Sequence, residues 1–198
     1  MEVALGLRPH SGWAVVVAVG GDARRPVVVE SERAALLPED LPRQPYHAVA
    51  EAGERPSVVE EVAAAALAGT HGCVEDLLGR LRPAHEVHGA GIIGAPRELP
   101  PLGRILASHP LLHAAEGDLY WSALVEAVAG AGLAVTAVPA KRTLEAATDA
   151  LGLRSQDLAD AVKEAGRGRR PWRADHKEAT AAALLVLGDP PGTEVSRR

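Results

Sequence analysis

The sequence predicts an α/β protein with a five-stranded mixed sheet: an antiparallel meander of three strands, then two parallel strands, flanked by helices. Three observations predict it. Up to Leu37, apolar β-branched runs alternate with short turns, the pattern of strands joined as neighbours. From Ser57 onward, helical periodicity encloses two short apolar runs, and a helix between two strands makes them parallel through a right-handed crossover. Hydrophobic residues make up 47% of the chain, yet aromatics only 3%, with no Phe. A core of Ala, Val and Leu favours close helix-on-sheet packing over a roomy aromatic pocket.

The elements follow in order. Val3 to Leu7 is a strand, Arg8-Pro9-His10-Ser11-Gly12 a turn, and Trp13 to Val19 a longer apolar strand. After a turn at Gly20 to Arg25, Pro26 to Leu37 reads as the third strand. Pro38 to Pro56 holds four prolines and little periodicity, which predicts a loop crossing from sheet to helix. Ser57-Val58-Val59-Glu60 matches a capping box and opens a helix that Gly69 and Gly72 soften or break and Pro83 ends. Glu86 to Gly94 reads as a buried central strand. Ala95 to Pro101 is a loop, and Ser108-His109-Pro110 starts a helix running to about Ala129. Leu133 to Val138 is the fifth strand. Helices are expected over Thr143 to Leu151, Ser155 to Ala165 and Asp175 to Leu187, each stopped by a glycine.

A length of 198 residues predicts one domain, residues 1–188, with 189–198 a flexible tail rich in proline and ending in Arg197-Arg198. The net charge of -5 gives no global attraction to nucleic acid, so such binding requires a local basic patch. The single cysteine, Cys73, excludes an intramolecular disulfide and reads as a buried apolar residue. There is no secretory signal pattern and no apolar run long enough to cross a membrane, so the expected location is cytoplasmic. The Ala-rich helices would permit homodimer packing.

Two short motifs carry a resemblance. Gly6-Leu7-Arg8-Pro9-His10-Ser11 resembles, at Gly6, Pro9 and Ser11, the G-I-D-P-G-S motif ending the first strand of RuvC-like nucleases, the Holliday-junction resolvase branch of the ribonuclease H-like superfamily. Asp175-His176-Lys177-Glu178 resembles the two acids, three residues apart, that open the last helix of that branch. SGWAVVV, LPRQPYHA and ASHPLLHAAEG also resemble a group of bacterial proteins of unassigned activity, which implies none here. The nuclease resemblance implies a ribonuclease H-like fold and two-metal phosphodiester hydrolysis, with Mg²⁺ or Mn²⁺ held by acids from the first strand, the fourth strand and the last helix. This chain departs from that set. Arg8 stands at the first acid, and Ile92-Ile93-Gly94 ends the fourth strand without a carboxylate. A cation in the cradle would repel a magnesium ion, which relies on carboxylate ligands.

Several residue groups are candidates for a site. Arg8, with His10 and Ser11 beside it, suits a phosphate or carboxylate; alternatively Arg8 pairs with Asp175 or Glu178. Those two acids also fit a helix-capping arrangement. Lys163, Arg167, Arg169, Arg170 and Arg173, interleaved with Trp172, form a basic stretch that could grip phosphates while the indole stacks on a base; the plainer reading is a solvated loop with Trp172 docked on the domain. His109, His113 and Glu116 share one helix face at spacings of four and three, a weak candidate for a metal site of two imidazoles and one carboxylate. Gly89 to Gly94 spells G-x-G-x-x-G but lies within a strand, so it is no dinucleotide fingerprint.

Three functional readings follow. The first is a non-catalytic ribonuclease H-like protein that needs no cofactor and binds nucleic acid near Arg8 and the basic stretch. The second is a Mg²⁺- or Mn²⁺-dependent nuclease or phosphodiesterase with relocated ligands Glu116, Asp118, Asp175 and Glu178. The third is a nucleotide-binding relative of the actin-like ATPases, disfavoured because no glycine-rich phosphate loop is present.

Overall fold

The computed structural model describes residues 1–188; the expected tail at 189–198 lies outside them. Strands β1 (Glu2–His10), β2 (Trp13–Asp22) and β3 (Arg25–Ala35) form the meander, and β4 (Glu86–Ile93) and β5 (Ala134–Val138) complete a sheet in the order β3-β2-β1-β4-β5. β1 pairs antiparallel with β2 and parallel with β4, so it is the central strand. The expected mixed five-stranded sheet is the one observed.

Helices α1 (Pro45–Ala52), α2 (Ser57–Leu81), α3 (Leu102–Leu106), α4 (His109–Gly130), α5 (Thr143–Leu151), α6 (Ser155–Ala165) and α7 (Ala174–Gly188) cover the sheet. The period-2 alternation of the strands sorts residues to two faces. Leu5, Leu7, Val16, Ala18, Ala90 and Ile92 face one way and pack against α2 and α4 through Val62, Leu77, Tyr120 and Leu124. Ala4, Val15, Val17 and Val19 face the other way, against α7. Helix α7 is itself buried, from Ala179 to Leu184, because α5 and α6 close over it with Ala147, Leu158 and Val162.

That inner position is why the α7 sequence is alanine-rich: a helix apolar on all sides needs cover on all sides, and small side chains let its backbone lie close to the sheet. The closeness is extreme at two strand glycines. A Cβ on Gly6 would sit 1.7 Å from the Ala179 carbonyl oxygen, and one on Gly91 would sit 2.3 Å from that of Ala182. Gly91 is the middle glycine of the G-x-G-x-x-G string, so its role is to admit a helix backbone.

Several sequence expectations need correction. The segment 38–56 is not all loop: Pro45, buried and at a first-turn position, starts α1 after Gln44. Helix α3 was likewise not legible in a five-residue segment. Arg8 to His10 belong to β1, leaving only Ser11-Gly12 as the turn. Ser57 makes no capping bond, and α2 runs unbroken past Gly69 and Gly72. Gly69 lies where α2 crosses the end of the meander, its would-be Cβ 2.6 Å from the Leu36 carbonyl oxygen, whereas Gly72 faces open space.

This packing makes a paired prediction. Gly6→Ala should destabilise the protein by about 3 kcal/mol or more through overpacking, while Gly72→Ala should stabilise it by about 0.5–1 kcal/mol through helix propensity. Urea unfolding of the two variants checks the contrast.

Candidate functional site

Where β1 ends, its even-numbered residues emerge from under α7 and meet the first turn of that helix. Arg8 Nε lies 3.5 Å from Glu178 Oε2 and 3.8 Å from Asp175 Oδ1. These separations are longer than hydrogen bonds, and neither Arg8 Nε nor Glu178 Oε2 has a hydrogen-bond partner. The attraction is coulombic, between side chains only 26–33% exposed. His10 Nε2 donates to Asp175 Oδ2 at 3.2 Å. Asp175 and Glu178 are therefore not simply helix caps: their carboxylates turn toward the sheet and face two groups of β1.

The other members of a metal cradle are missing from this geometry. In the parallel register Leu7 lies beside Ile92, which places Ile93 beside Arg8 on the α7 face, buried against Val138 and Ala182. Glu116 and Asp118 belong to α4, which covers the opposite face of the sheet. Glu116 is engaged there with His47 and Gln44, and Asp118 accepts the Arg97 backbone N–H at 3.1 Å. The four-acid set Glu116, Asp118, Asp175 and Glu178 is thus split between two sides of the sheet. The divalent ions that the nuclease resemblance implies do not fit these residues: a guanidinium and an isoleucine occupy two of the places that call for carboxylates.

Beside Arg8 opens a groove of about 670 Å³ lined by Trp13, Arg33, Arg169, Arg170, Arg173 and Asp175, among others. His10 stacks on Trp13, ring centroids 4.0 Å apart and planes within 7°, and the Arg33 guanidinium lies 4.0 Å from the Trp13 ring centre. Arg33 stands opposite Val15 on the neighbouring strand, so alternation puts His10, Trp13, Val15 and Arg33 on one face. Trp13 and Arg33 were not among the residues singled out from sequence. The signal was present in the register: a tryptophan directly after the turn, and an arginine in strand alternation with Ser31 opposite the apolar Val15 and Val17.

The basic stretch divides. Arg169 donates to the Val28 carbonyl on β3, anchoring the segment to the sheet edge, and with Arg170 and Arg173 it lines the groove. Arg167 pairs instead with Glu164, and Lys163 is exposed on α6; neither lines the groove. Trp172 packs on the α5–α7 side of the core, against Gly166, where an added Cβ would meet its indole at 2.0 Å. The indole is docked, not offered to a base. Ser11 lies in the turn just outside the groove lining.

Burial shapes the imidazoles here. Burial lowers the His10 pKa from 6.5, followed by the opposing pull of Asp175 and the push of Arg8. Burial likewise lowers His176, whose Nδ1 accepts the Arg173 backbone N–H at 3.3 Å and so must be unprotonated. On the far face, the Cys73 thiol is pushed up to about 11 by burial, which keeps it a thiol.

No protein-family model matches the sequence, and no curated protein does. Solved structures do match, among them RuvC of Thermus thermophilus in complex with its Holliday junction substrate (TM-score 0.55) and T. thermophilus RuvC in a second structure (TM-score 0.52). Each is 17% identical, and the match covers 93% of this chain and 92% of that one. The fold is RuvC-like, of the ribonuclease H-like type. The RuvC-like core here carries Arg8 at the mouth of its last helix and an arginine-lined groove beside it. No helix among the described residues is long and apolar enough to cross a membrane.

The two histidines give a pH prediction. Their folded pKa values lie below the unfolded 6.5, so on acidification the unfolded chain takes up protons that the folded one resists. Their contribution is constant well above 6.5 and turns against folding as the pH falls through 6.5 toward the folded values. Wild-type stability should therefore drop between about pH 7.5 and 5.5, and the His10→Gln/His176→Gln variant should drop less. Chemical denaturation across that range, compared as wild type minus variant, measures it.

Proposed function

We propose that this RuvC-like protein binds nucleic acid in the groove between the Arg8 end of the sheet and the 169–173 segment, and does not cut it by a two-metal route. The observation that carries the reading is the arginine-lined groove over Trp13: Arg33, Arg169, Arg170 and Arg173 collect four cations against Glu32 and Asp175, in a chain whose net charge is -5. Guanidinium groups suit phosphate oxygens, which they bind in planar, forked pairs. Trp13 is held between His10 and the Arg33 guanidinium, so the planar surface this stack offers an unpaired base is the outer face of Arg33, and such stacking is tolerant of sequence. The fold likeness to RuvC bound to a Holliday junction supports a branched duplex as ligand, since strands meeting at a branch bring phosphates close together.

The chemistry of cleavage is what the site is least suited to. Hydrolysis through two metal ions needs carboxylates converging on them, and Arg8 already supplies the positive charge between Asp175 and Glu178. An internal cation of this kind offsets one of the two negative charges at the groove's edge, which lowers their repulsion of a phosphate backbone.

The test is titration of labelled branched, duplex and single-stranded DNA at about 50 and 200 mM salt. With three to four phosphates engaged, affinity should fall on the order of 10²-fold between the two salts. The Arg170→Glu/Arg173→Glu variant should lose at least about tenfold at low salt, and Trp13→Ala should weaken single-stranded or branched DNA more than plain duplex. Absence of binding at low salt, or binding indifferent to salt, overturns the reading; cleavage of branched DNA with Mg²⁺ or Mn²⁺ overturns its second half.

A further inference from the structure

On the opposite face of the molecule from the groove, three histidines converge. His47 of α1 and His109 and His113 of α4 each place one ring nitrogen within 4.8 Å of the others. His109 Nε2 and His113 Nε2 are 3.1 Å apart. The expected third member, Glu116, is not beside them as a ligand. Its carboxylate, 1% exposed, accepts from His47 Nδ1 at 2.7 Å, from the His47 backbone N–H at 3.3 Å and from Gln44 Nε2 at 3.3 Å. The helix spacing found the right face, but the third imidazole came from a segment expected to be loop.

We propose that His47, His109 and His113 bind one Zn²⁺ ion through ring nitrogens, with Glu116 as the carboxylate that orients His47. Three independent features point there. First, two imidazole nitrogens separated by 3.1 Å match the roughly 3.3 Å that two ligands at about 2.0–2.1 Å from a tetrahedral zinc require. Second, a carboxylate accepting from Nδ1 puts the proton on that nitrogen and leaves the Nε2 lone pair free, the arrangement found behind zinc-bound histidines. Third, the buried Glu116 carboxylate has no Lys or Arg within ion-pair distance among the described residues; the basic side chain beside it is the His47 imidazole. A divalent cation on the far side of that ring supplies the missing positive charge. Glu51, 3.5 Å from His109 Nδ1, offers a second carboxylate of the same kind.

The donor set selects the metal class. Three imidazoles without a thiolate suit Zn²⁺ and its neighbours over Mg²⁺ or Ca²⁺, which prefer oxygen. His109 and His113 are exposed, so a fourth position stays open to water. The site joins the start of α4 to α1, and the ion would tie the 45–52 segment to the body of the protein. This inference is independent of the nucleic-acid reading, since it uses neither the groove nor Arg8.

The experiment uses untagged, metal-stripped full-length protein titrated with Zn²⁺ against a chromophoric chelator. One equivalent should bind, thermal unfolding should shift upward on binding, and Co²⁺ in its place should give the intense visible absorption of a four-coordinate ion. His109→Ala and His113→Ala remove exposed side chains, so each should fold without metal yet lose on the order of 10²-fold or more in affinity; Glu116→Gln should lose about 10–100-fold. His47→Ala strands a buried carboxylate and is the less informative variant. His88→Ala removes a second grouping, of a half-buried histidine with the exposed Glu2 and Glu86, and should leave zinc binding unchanged. Tight binding that survives the His109→Ala/His113→Ala double variant, that disappears with His88→Ala, or that never reaches one equivalent overturns the proposal.

Discussion

The structure depends on how closely α7 can lie on the sheet. Its backbone touches the backbone of β1 and β4 at Gly6 and Gly91, leaving no room for a side chain at either place. Everything at the groove follows from that contact. It sets the first turn of α7 over the end of β1, so that Asp175 and Glu178 must face whatever β1 presents at residues 8 and 10. Two carboxylates held there, half-buried, need a counter-charge. In this chain the counter-charge is covalently part of the neighbouring strand, at Arg8.

That substitution of a guanidinium for an external ion changes what the end of the sheet can do. A metal-filled cradle exchanges ligands and polarises phosphate oxygens; a cation fixed to β1 permanently offsets one of the two acid charges and offers no open coordination position. Ile93 reinforces the change by placing a hydrocarbon, packed on Val138 and Ala182, beside Arg8. The neighbouring groove then gains weight as a binding surface, because its arginines and Trp13 act through charge and stacking and need no metal.

Much of this was legible in the sequence, and the exceptions have physical causes. The meander and the parallel crossover followed from alternation and from the helix between the two later apolar runs, whereas the place of β1 at the centre of the sheet did not. The strand-one and last-helix motifs left Arg8 two readings, an anion site or a partner for Asp175 or Glu178, and it is the packing of α7 that brings it to the two acids. Helix α1 was hidden because four prolines within a short span mask periodicity, and only buried Pro45 marks its start. With α1 went His47, and so the third histidine of the cluster. Of the two readings of Trp172, base stacking or docking on the domain, packing decides for the second: the indole fills the space over Gly166, although it lies among arginines in sequence. Glu116 and Asp118 resemble relocated ligands along the chain, whereas the sheet stands between them and α7.

The central claim is that Arg8 acts as the internal counter-ion of the last helix, and a double-mutant cycle on stability tests it most directly. Arg8→Met alone should cost about 2 kcal/mol, between the values of exposed and fully buried pairs, because it leaves two carboxylates facing each other. Adding Asp175→Asn/Glu178→Gln to Arg8→Met should then recover much of that loss, giving a coupling of about 1–2 kcal/mol in urea unfolding. Additive effects, with no coupling between Arg8 and the two acids, would contradict the account.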